Sequence, residues 1–444
     1  MTLYAQIHLS ARFFQALSLL VGIAIAAYLW SPMLYLLPLL LGALLLLLAL
    51  DAHRLFSHGQ AAISAERLCG KKFSNGDPNP VQLLLCNYYP FPTKLLVLEE
   101  LPVQFQERHM QFSLRADAGA TEELHYELSP VERGSYQFGC INVLAQSPLG
   151  LLMRHFRAGA SMEVSVYPSF MQMRHYELLA VSNRLSQIGL KKVRRAGTGK
   201  EFEQIDPYVR GDEYRRINWK ATARRNELMV NRFQDERSQK IYCLIDKGRS
   251  MEMPFSGLSL LDYAINASLV LSNIALQRKD QAGLITFQEK VNKVVPASSR
   301  PGQLNLIMEM LYREKTDYRE SDLEAVYNYS ERQLGSRSLL LLFTNYESLV
   351  SLRRQIPLLR LLSRKHLLVT ILFRNVEVER LVLQKAEQLR DIYEKGLAEE
   401  LMYQKYLMVK ELQAAGLPVL LTTPARLTAD TLNKYLEIKS RGAL

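Results

Sequence analysis

Three short runs carry the oxygen-bearing side chains that chemistry would need. Asp246-Lys247-Gly248-Arg249-Ser250 follows an apolar run, Thr344-Asn345 closes another, and Ser321-Asp322 opens a helical pattern between them in sequence. A hard cation such as Mg²⁺ takes oxygen ligands in near-octahedral geometry. Asp246, Ser250 and Ser321 can supply three, with water filling the other positions. The plainer alternative is that Asp246 and Ser250 only cap the backbone that follows them. Hydrolysis asks for more, either clustered carboxylates or a nucleophile paired with a base. Asp246 and Asp322 are too few for that, and no motif brings in a histidine. The expectation is a protein without catalytic residues.

Other chemistries fall away on spacing. Cys69, Cys86, Cys140 and Cys243 lie far apart with no CxxC pair, which is neither a metal-site spacing nor a dense disulfide framework. No HExxH occurs among the eight histidines. Gly197-Thr198-Gly199-Lys200 imitates a phosphate loop, but Arg194 and Glu201 stand where that loop needs glycine and Ser or Thr.

Residues at strand ends need a sheet to hold them, and the C-terminal half alternates accordingly. Strands are expected at Ile241–Asp246, Ala282–Phe287, Ser338–Thr344, His366–Phe373 and Leu417–Leu421, with Val291–Val295 closing a hairpin. Helices are expected at Leu258–Gln277, Gly302–Arg313, Asp322–Leu334, Glu347–Ser363 and Leu427–Lys439, with one long charged helix from Glu377 to Ala415. Such alternation builds a doubly wound sheet in an α/β domain over residues 238–444, whose ligands bind beyond the carboxyl ends of the strands.

Residues 60–170 read as short strands broken by turn residues, for example Val81–Leu85, Leu95–Leu98, Gln111–Leu114, His125–Leu128, Ile141–Leu144 and Val164–Tyr167. That pattern predicts a small β-sandwich-like domain, with a spacer or docking role.

Before it, residues 13–50 contain no charge. About 20 apolar residues cross a bilayer, and Ser31-Pro32 interrupts the run near its middle. Two transmembrane helices, Phe13–Trp30 and Met33–Leu50, therefore form a hairpin over residues 1–55. The run is too long for a signal peptide. Arg12 before it and Arg54, Arg67, Lys71 and Lys72 after it place both ends on the cytoplasmic side.

The whole chain has 444 residues and a net charge of +11, which suits anionic lipid, an acidic protein or nucleic acid. Beside a membrane segment, lipid and protein are favoured over nucleic acid, whose binding would weaken steeply with salt. Much of the charge lies in residues 180–237, a basic segment. Arg210-Gly211-Asp212 suggests a tight turn there, followed by Arg215, Arg216, Trp219, Lys220, Arg224 and Arg225. One reading is a structural clasp, with Trp219 buried and Asp212 paired to Arg215 or Arg216. The other is an exposed cationic surface for a partner.

Two resemblances follow from these residues. The Asp246-x-Gly248-x-Ser250 turn resembles the metal-ion-dependent adhesion site of von Willebrand factor type A domains, with Gly248 in place of a ligand serine and Asn345 where an aspartate often sits. The longer match is Gly199-Lys200-Glu201-Phe202, Tyr208 to Arg225, Leu228-Met229-Val230 and Phe233 to Glu236. With Glu132 to Gly139 and Ser147 to Leu151, it is similar to domain-of-unknown-function family 58. That resemblance implies a bacterial inner-membrane protein with a hairpin, a β segment and a von Willebrand-like domain. It also implies partnership with a MoxR-type AAA+ ATPase. The function expected is a membrane-tethered adaptor in chaperone-like complex assembly, or else a scaffold for envelope or cell-wall assembly.

Overall fold

The computed structural model describes residues 7–29, 35–106, 110–181, 201–209, 212, 214–234, 238–316, 318–386 and 388–442. The chain divides into two compact units, Met1–Tyr167 and Pro168–Leu444.

In the first unit, three sheets carry the β region. The largest has five antiparallel strands in the order Ile7–Leu9, Leu152–Ala158, Ile141–Gln146, Thr93–Glu99, Gln111–Ala116. Ile63–Cys69, Asn79–Asn87 and Thr121–Leu128 form a second sheet; Lys72–Ser74, Met162–Tyr167 and Gly134–Phe138 form a third. Asn79–Asn87 shows the side-chain alternation that fixes register: Val81, Leu83 and Leu85 are buried while Pro80 is exposed. Every strand expected here is present. Leu152–Ala158 carries Arg154 and His155 inside its apolar pattern. Arg154 is nevertheless buried, its guanidinium stacked against Phe56 and Phe156.

Leu36–Phe56 is a helix long and apolar enough to cross a membrane. The apolar helix before it spans Ala11–Leu29. The predicted turn at Ser31-Pro32 lies outside the described residues. The second helix runs six residues past the expected end at Leu50, because its last turns dock on the β core. Leu55 is buried there, with Leu48, Ala52 and Phe56 packed against the same cluster. The Asp51 carboxylate accepts from Ser147 Oγ and from the backbone N–H groups of Leu151 and Leu152, both at 3.0 Å. Tyr89 Oη and Arg154 Nη1 donate to the Leu55 carbonyl at 2.6 and 2.7 Å, satisfying an acceptor that a helix end leaves open.

The second unit is built on a six-stranded sheet: β1 (Lys240–Asp246), β2 (Gln281–Phe287), β3 (Val291–Ser298), β4 (Leu339–Phe343), β5 (Leu367–Phe373) and β6 (Val419–Thr422). The order is β3-β2-β1-β4-β5-β6, parallel throughout except for the antiparallel edge strand β3. Successive residues of β1 point to opposite faces, so both faces must be covered. Ile241, Cys243 and Ile245 enter a core with helices Leu260–Gln277, Gln303–Tyr312 and Leu427–Arg441. Tyr242 and Leu244 enter the opposite core with Leu323–Gln333, Leu349–Lys365 and the last turns of Leu389–Ala414.

One expected element is corrected. The long helix from Glu377 to Ala415 is two helices, Val376–Leu383 and Leu389–Ala414. The break contains neither proline nor glycine. It is set by a second start signal, a capping box in which Gln388 and Asp391 satisfy each other's backbone groups. Continuous charge periodicity hides that box in the sequence.

Candidate functional site

Strand order reverses between β1 and β4, so a crevice opens at their carboxyl ends. Here it is a cleft of about 370 Å³ lined by Asp246, Ser250, Ser321, Thr344, Glu347 and Arg354, among others. The three expected ligand residues thus border one cleft. Ser321 Oγ donates to Asp246 Oδ1, which also accepts from Gly248 N at 2.7 Å. Asp246 Oδ2 accepts from Thr344 Oγ1 at 2.6 Å. Burial pushes the Asp246 carboxyl up, and these three hydrogen bonds pull against that shift. Asp322 caps the helix that follows, accepting from Glu324 N.

Asn345 is committed elsewhere. Its Oδ1 accepts from Lys405 Nζ at 2.5 Å, and its Nδ2 donates to the Ser250 carbonyl at 3.4 Å. Lys405 also donates to the Tyr346 carbonyl at 2.9 Å. A divalent cation wants six to eight oxygens with charge among them. Of the carboxylates lining the cleft, Asp246 is buried and already met by three donors of its own chain, Glu320 and Glu347 lie exposed at the rim with Glu347 paired to Arg249, and an ammonium occupies the neighbouring Asn345 oxygen. Among the described residues no group of three or more His, Cys, Asp or Glu side chains is gathered for a metal. The residues present do not fit a resident Mg²⁺.

Gly248 has a packing reason. A Cβ there would overlap Ser321 Oγ and stand 3.0 Å from Asp246 Oδ1. Gly248→Ala should therefore cost about 1–3 kcal/mol through overpacking. Ser321→Ala in the same chain should recover part of it, read from denaturant midpoints. A loss that is fully additive in the double variant would contradict this contact.

Burial lowers the Lys405 amine to about 8. The sign of its effect on stability follows. Between about pH 8 and the unfolded value near 10.4, the unfolded chain binds a proton that the folded chain does not, so stability rises with pH. The slope approaches about 1.4 kcal/mol per pH unit. Chemical unfolding from pH 8 to 9.5 should show this rise in the wild type and lose it in Lys405→Met. Parallel curves would refute it.

Beneath the cleft, Lys247 and Lys293 both pair with Glu314, at 2.7 and 2.9 Å. Glu314 and Lys247 are buried. The segment leading to Ser321 is tied to the strand ends by Thr316 Oγ1 to the Lys247 carbonyl at 2.7 Å and by Arg249 N to the Arg319 carbonyl at 2.9 Å. Sequence reasoning missed Lys247, Glu314 and Lys405 as site supports. Lys247 sits inside the motif, but its burial depends on a partner 67 positions away, and Lys405 lies in a helix rich in exposed charge.

The basic signature forms its own small structure. Glu201–Pro207 pairs antiparallel with Met229–Gln234, and a helix, Trp219–Arg225, lies between them in sequence. Asn218 caps that helix through Ala221 N and fastens it to the hairpin through Asn231 Oδ1 at 2.8 Å. Thr222 Oγ1 accepts from Met229 N at 3.0 Å. Asp212 closes its own turn, accepting from Val209 N. Arg210 and the Arg216 side chain lie outside the described part. The clasp reading is corrected at Trp219, which is 68% exposed. Among the described side chains of this hairpin, Met229 and Val230 are the buried apolar ones. Tyr214 is 76% exposed, and Arg215, Lys220, Arg224 and Arg225 are exposed too. Lys220, Arg224 and Arg225 border a second cleft of about 360 Å³ with Asn218 and Met229.

Residues 204–390 match the model of a family described as "Protein of unknown function DUF58". The signature read from the sequence lies largely inside that match, and the matched segment belongs to this family. An uncharacterized protein of Bacillus subtilis (strain 168), YeaD, is 27% identical over 184 residues, which is 39% of this chain and 44% of that protein. The chain thus spans less than half the length of that curated relative. Among solved structures, proximal thread matrix protein 1 from the mussel byssus aligns at 10% identity and a TM-score of 0.28, over 46% of this chain and 47% of its own. A CARDB domain from Pyrococcus furiosus aligns at 12% identity and a TM-score of 0.17, over 24% and 94%. At those scores neither likeness carries an argument.

Proposed function

We propose that this DUF58-family chain is a non-enzymatic, membrane-tethered adaptor that captures a protein partner through its signature hairpin. The observation that carries this reading is the exposure of Tyr214 and Trp219 beside Arg215, Lys220, Arg224 and Arg225. Aromatic residues and arginine are enriched in protein interfaces and dominate their hot spots. The partner is an AAA+ ATPase of the MoxR type, or that ATPase's client, as the family resemblance implies. The second unit is a von Willebrand factor type A-like domain on this reading, which the β3-β2-β1-β4-β5-β6 order supports. Its strand-end cleft then acts as a docking surface without a metal.

The tether is a helical hairpin with both ends in the cytoplasm. Ile7–Leu9, before the first helix, pairs with Leu152–Arg154, after the second. One sheet built from both flanks supports an even number of crossings.

Copurification tests the reading. Full-length tagged protein, lightly crosslinked in its own cells and purified in mild detergent, should bring down an AAA+ ATPase. Trp219→Ala with Arg224→Ala and Arg225→Ala should lose it while the protein stays folded and in the membrane. Recovery of envelope or cell-wall enzymes without an ATPase would replace the adaptor with a scaffold for envelope assembly.

A further inference from the structure

A third pocket, separate from the signature hairpin, opens at the carboxyl ends of β5 and β6. It has a volume of about 370 Å³, and its walls include Phe255, Phe373, Val378, Leu401, Met402 and Lys405. Such a size and lining are those of small-molecule sites, which are apolar with a few placed polar groups. Here the placed group is Lys405. An ammonium has three donors. Two are spent on neutral acceptors, Asn345 Oδ1 and the Tyr346 carbonyl. Among the described residues no carboxylate forms an ion pair with it, and the adjacent Glu347 is engaged by Arg249 at 3.1 Å. Buried cations are ordinarily paired. Arg374 and Glu379, which also line the pocket, pair with each other at 2.8 Å, which leaves the part-buried Lys405 ammonium, hydrogen-bonded only to neutral acceptors, as the cation that favours a ligand with an apolar body and a single negative charge.

We propose that this pocket binds an amphipathic monocarboxylate, its alkyl or aryl body against Phe373 and Met402 and its carboxylate on the third donor of Lys405. The site is independent of the adaptor reading and stands whether or not an ATPase binds. The pocket borders the strand-end cleft through Asn345, Tyr346 and Glu347, so its occupant would touch the segment that lines both.

The test uses full-length protein in lipid nanodiscs, with ligand-observed NMR titrations of phenylbutyrate and its neutral amide, phenylbutyramide, and empty nanodiscs as baseline. The acid should bind at least about tenfold more tightly than the amide, as expected for a charge-assisted hydrogen bond in a desolvated site. Lys405→Met should abolish that preference while retaining amide binding. Val378→Trp, which fills the pocket without touching the lysine's hydrogen bonds, should abolish binding of both, and it keeps the test open if Lys405→Met misfolds. Equal affinity for acid and amide in the wild type would overturn the proposal. So would an acid preference that survives Lys405→Met, binding that survives Val378→Trp, or signals no different from empty nanodiscs.

Discussion

Glu314→Ala should destabilise the second unit by about 3–5 kcal/mol, the usual result of removing one partner from a buried ion pair. The substitution leaves the Lys247 ammonium buried beneath the strand-end cleft with its carboxylate gone; Lys293, half exposed, can turn to water. The effect should reach the cleft as well. Lys247 follows Asp246 directly, and its carbonyl receives Thr316 Oγ1 from the segment that delivers Ser321. Denaturant unfolding of the full-length protein reads the stability. Hydrogen exchange at Gly248, whose N–H meets Asp246 Oδ1, reads the cleft. The isosteric repair is Lys247→Met with Glu314→Leu, which replaces two buried charges with apolar volume and should recover most of the loss. A Glu314→Ala cost below about 1 kcal/mol would mean that Lys247 finds water or another partner.

Asp51→Ala should be the matching lesion in the first unit. Its carboxylate accepts from the N–H groups of Leu151 and Leu152 and from the hydroxyl of Ser147. Truncation leaves buried donors unpaired, at about 1–3 kcal/mol each, so a loss near 3 kcal/mol is expected. Local opening should lower hydrogen-exchange protection at Leu152 by roughly a hundredfold. Asp51→Asn, which keeps one acceptor oxygen, should fall between. Unchanged protection at Leu152 in Asp51→Ala would show that the helix end is held by Leu55 packing and the Arg154 and Tyr89 hydrogen bonds alone.

Much of the architecture was legible because it is written in local patterns. The sheet of the second unit followed from apolar runs such as Leu339–Phe343, buried on both faces, and every expected strand of the first unit is present. Legibility failed where a distant partner changes what a residue can do. Arg154 breaks the alternation of its strand on paper, but Phe56 and Phe156 receive it. Asp51 reads as the polar end of a membrane helix, while the fold carries the helix on to Phe56 because Asp51 is an acceptor for a loop about a hundred residues away. Gln388 and Asp391 start a helix inside what reads as one. At the candidate site, the sequence brought Asp246, Ser250 and Ser321 to one cleft but gave no hint that Lys405 takes the oxygen of Asn345. Of the two readings of the basic segment, the structural clasp put Trp219 inside, and its indole is exposed. Among the described side chains of that hairpin, Met229 and Val230 are buried while the indole is exposed, and the proposed adaptor role assigns the indole to a partner.

That last point is the centre of the account, and affinity measures it most directly. Full-length protein in nanodiscs should be titrated with the ATPase recovered by crosslinking, for the wild type and for the variant carrying Trp219→Ala, Arg224→Ala and Arg225→Ala. The adaptor account predicts that the variant folds as the wild type does and binds at least about a hundredfold more weakly, as loss of a hot-spot tryptophan and two arginines entails. An affinity unchanged within threefold would contradict it and move the contact surface away from the signature hairpin.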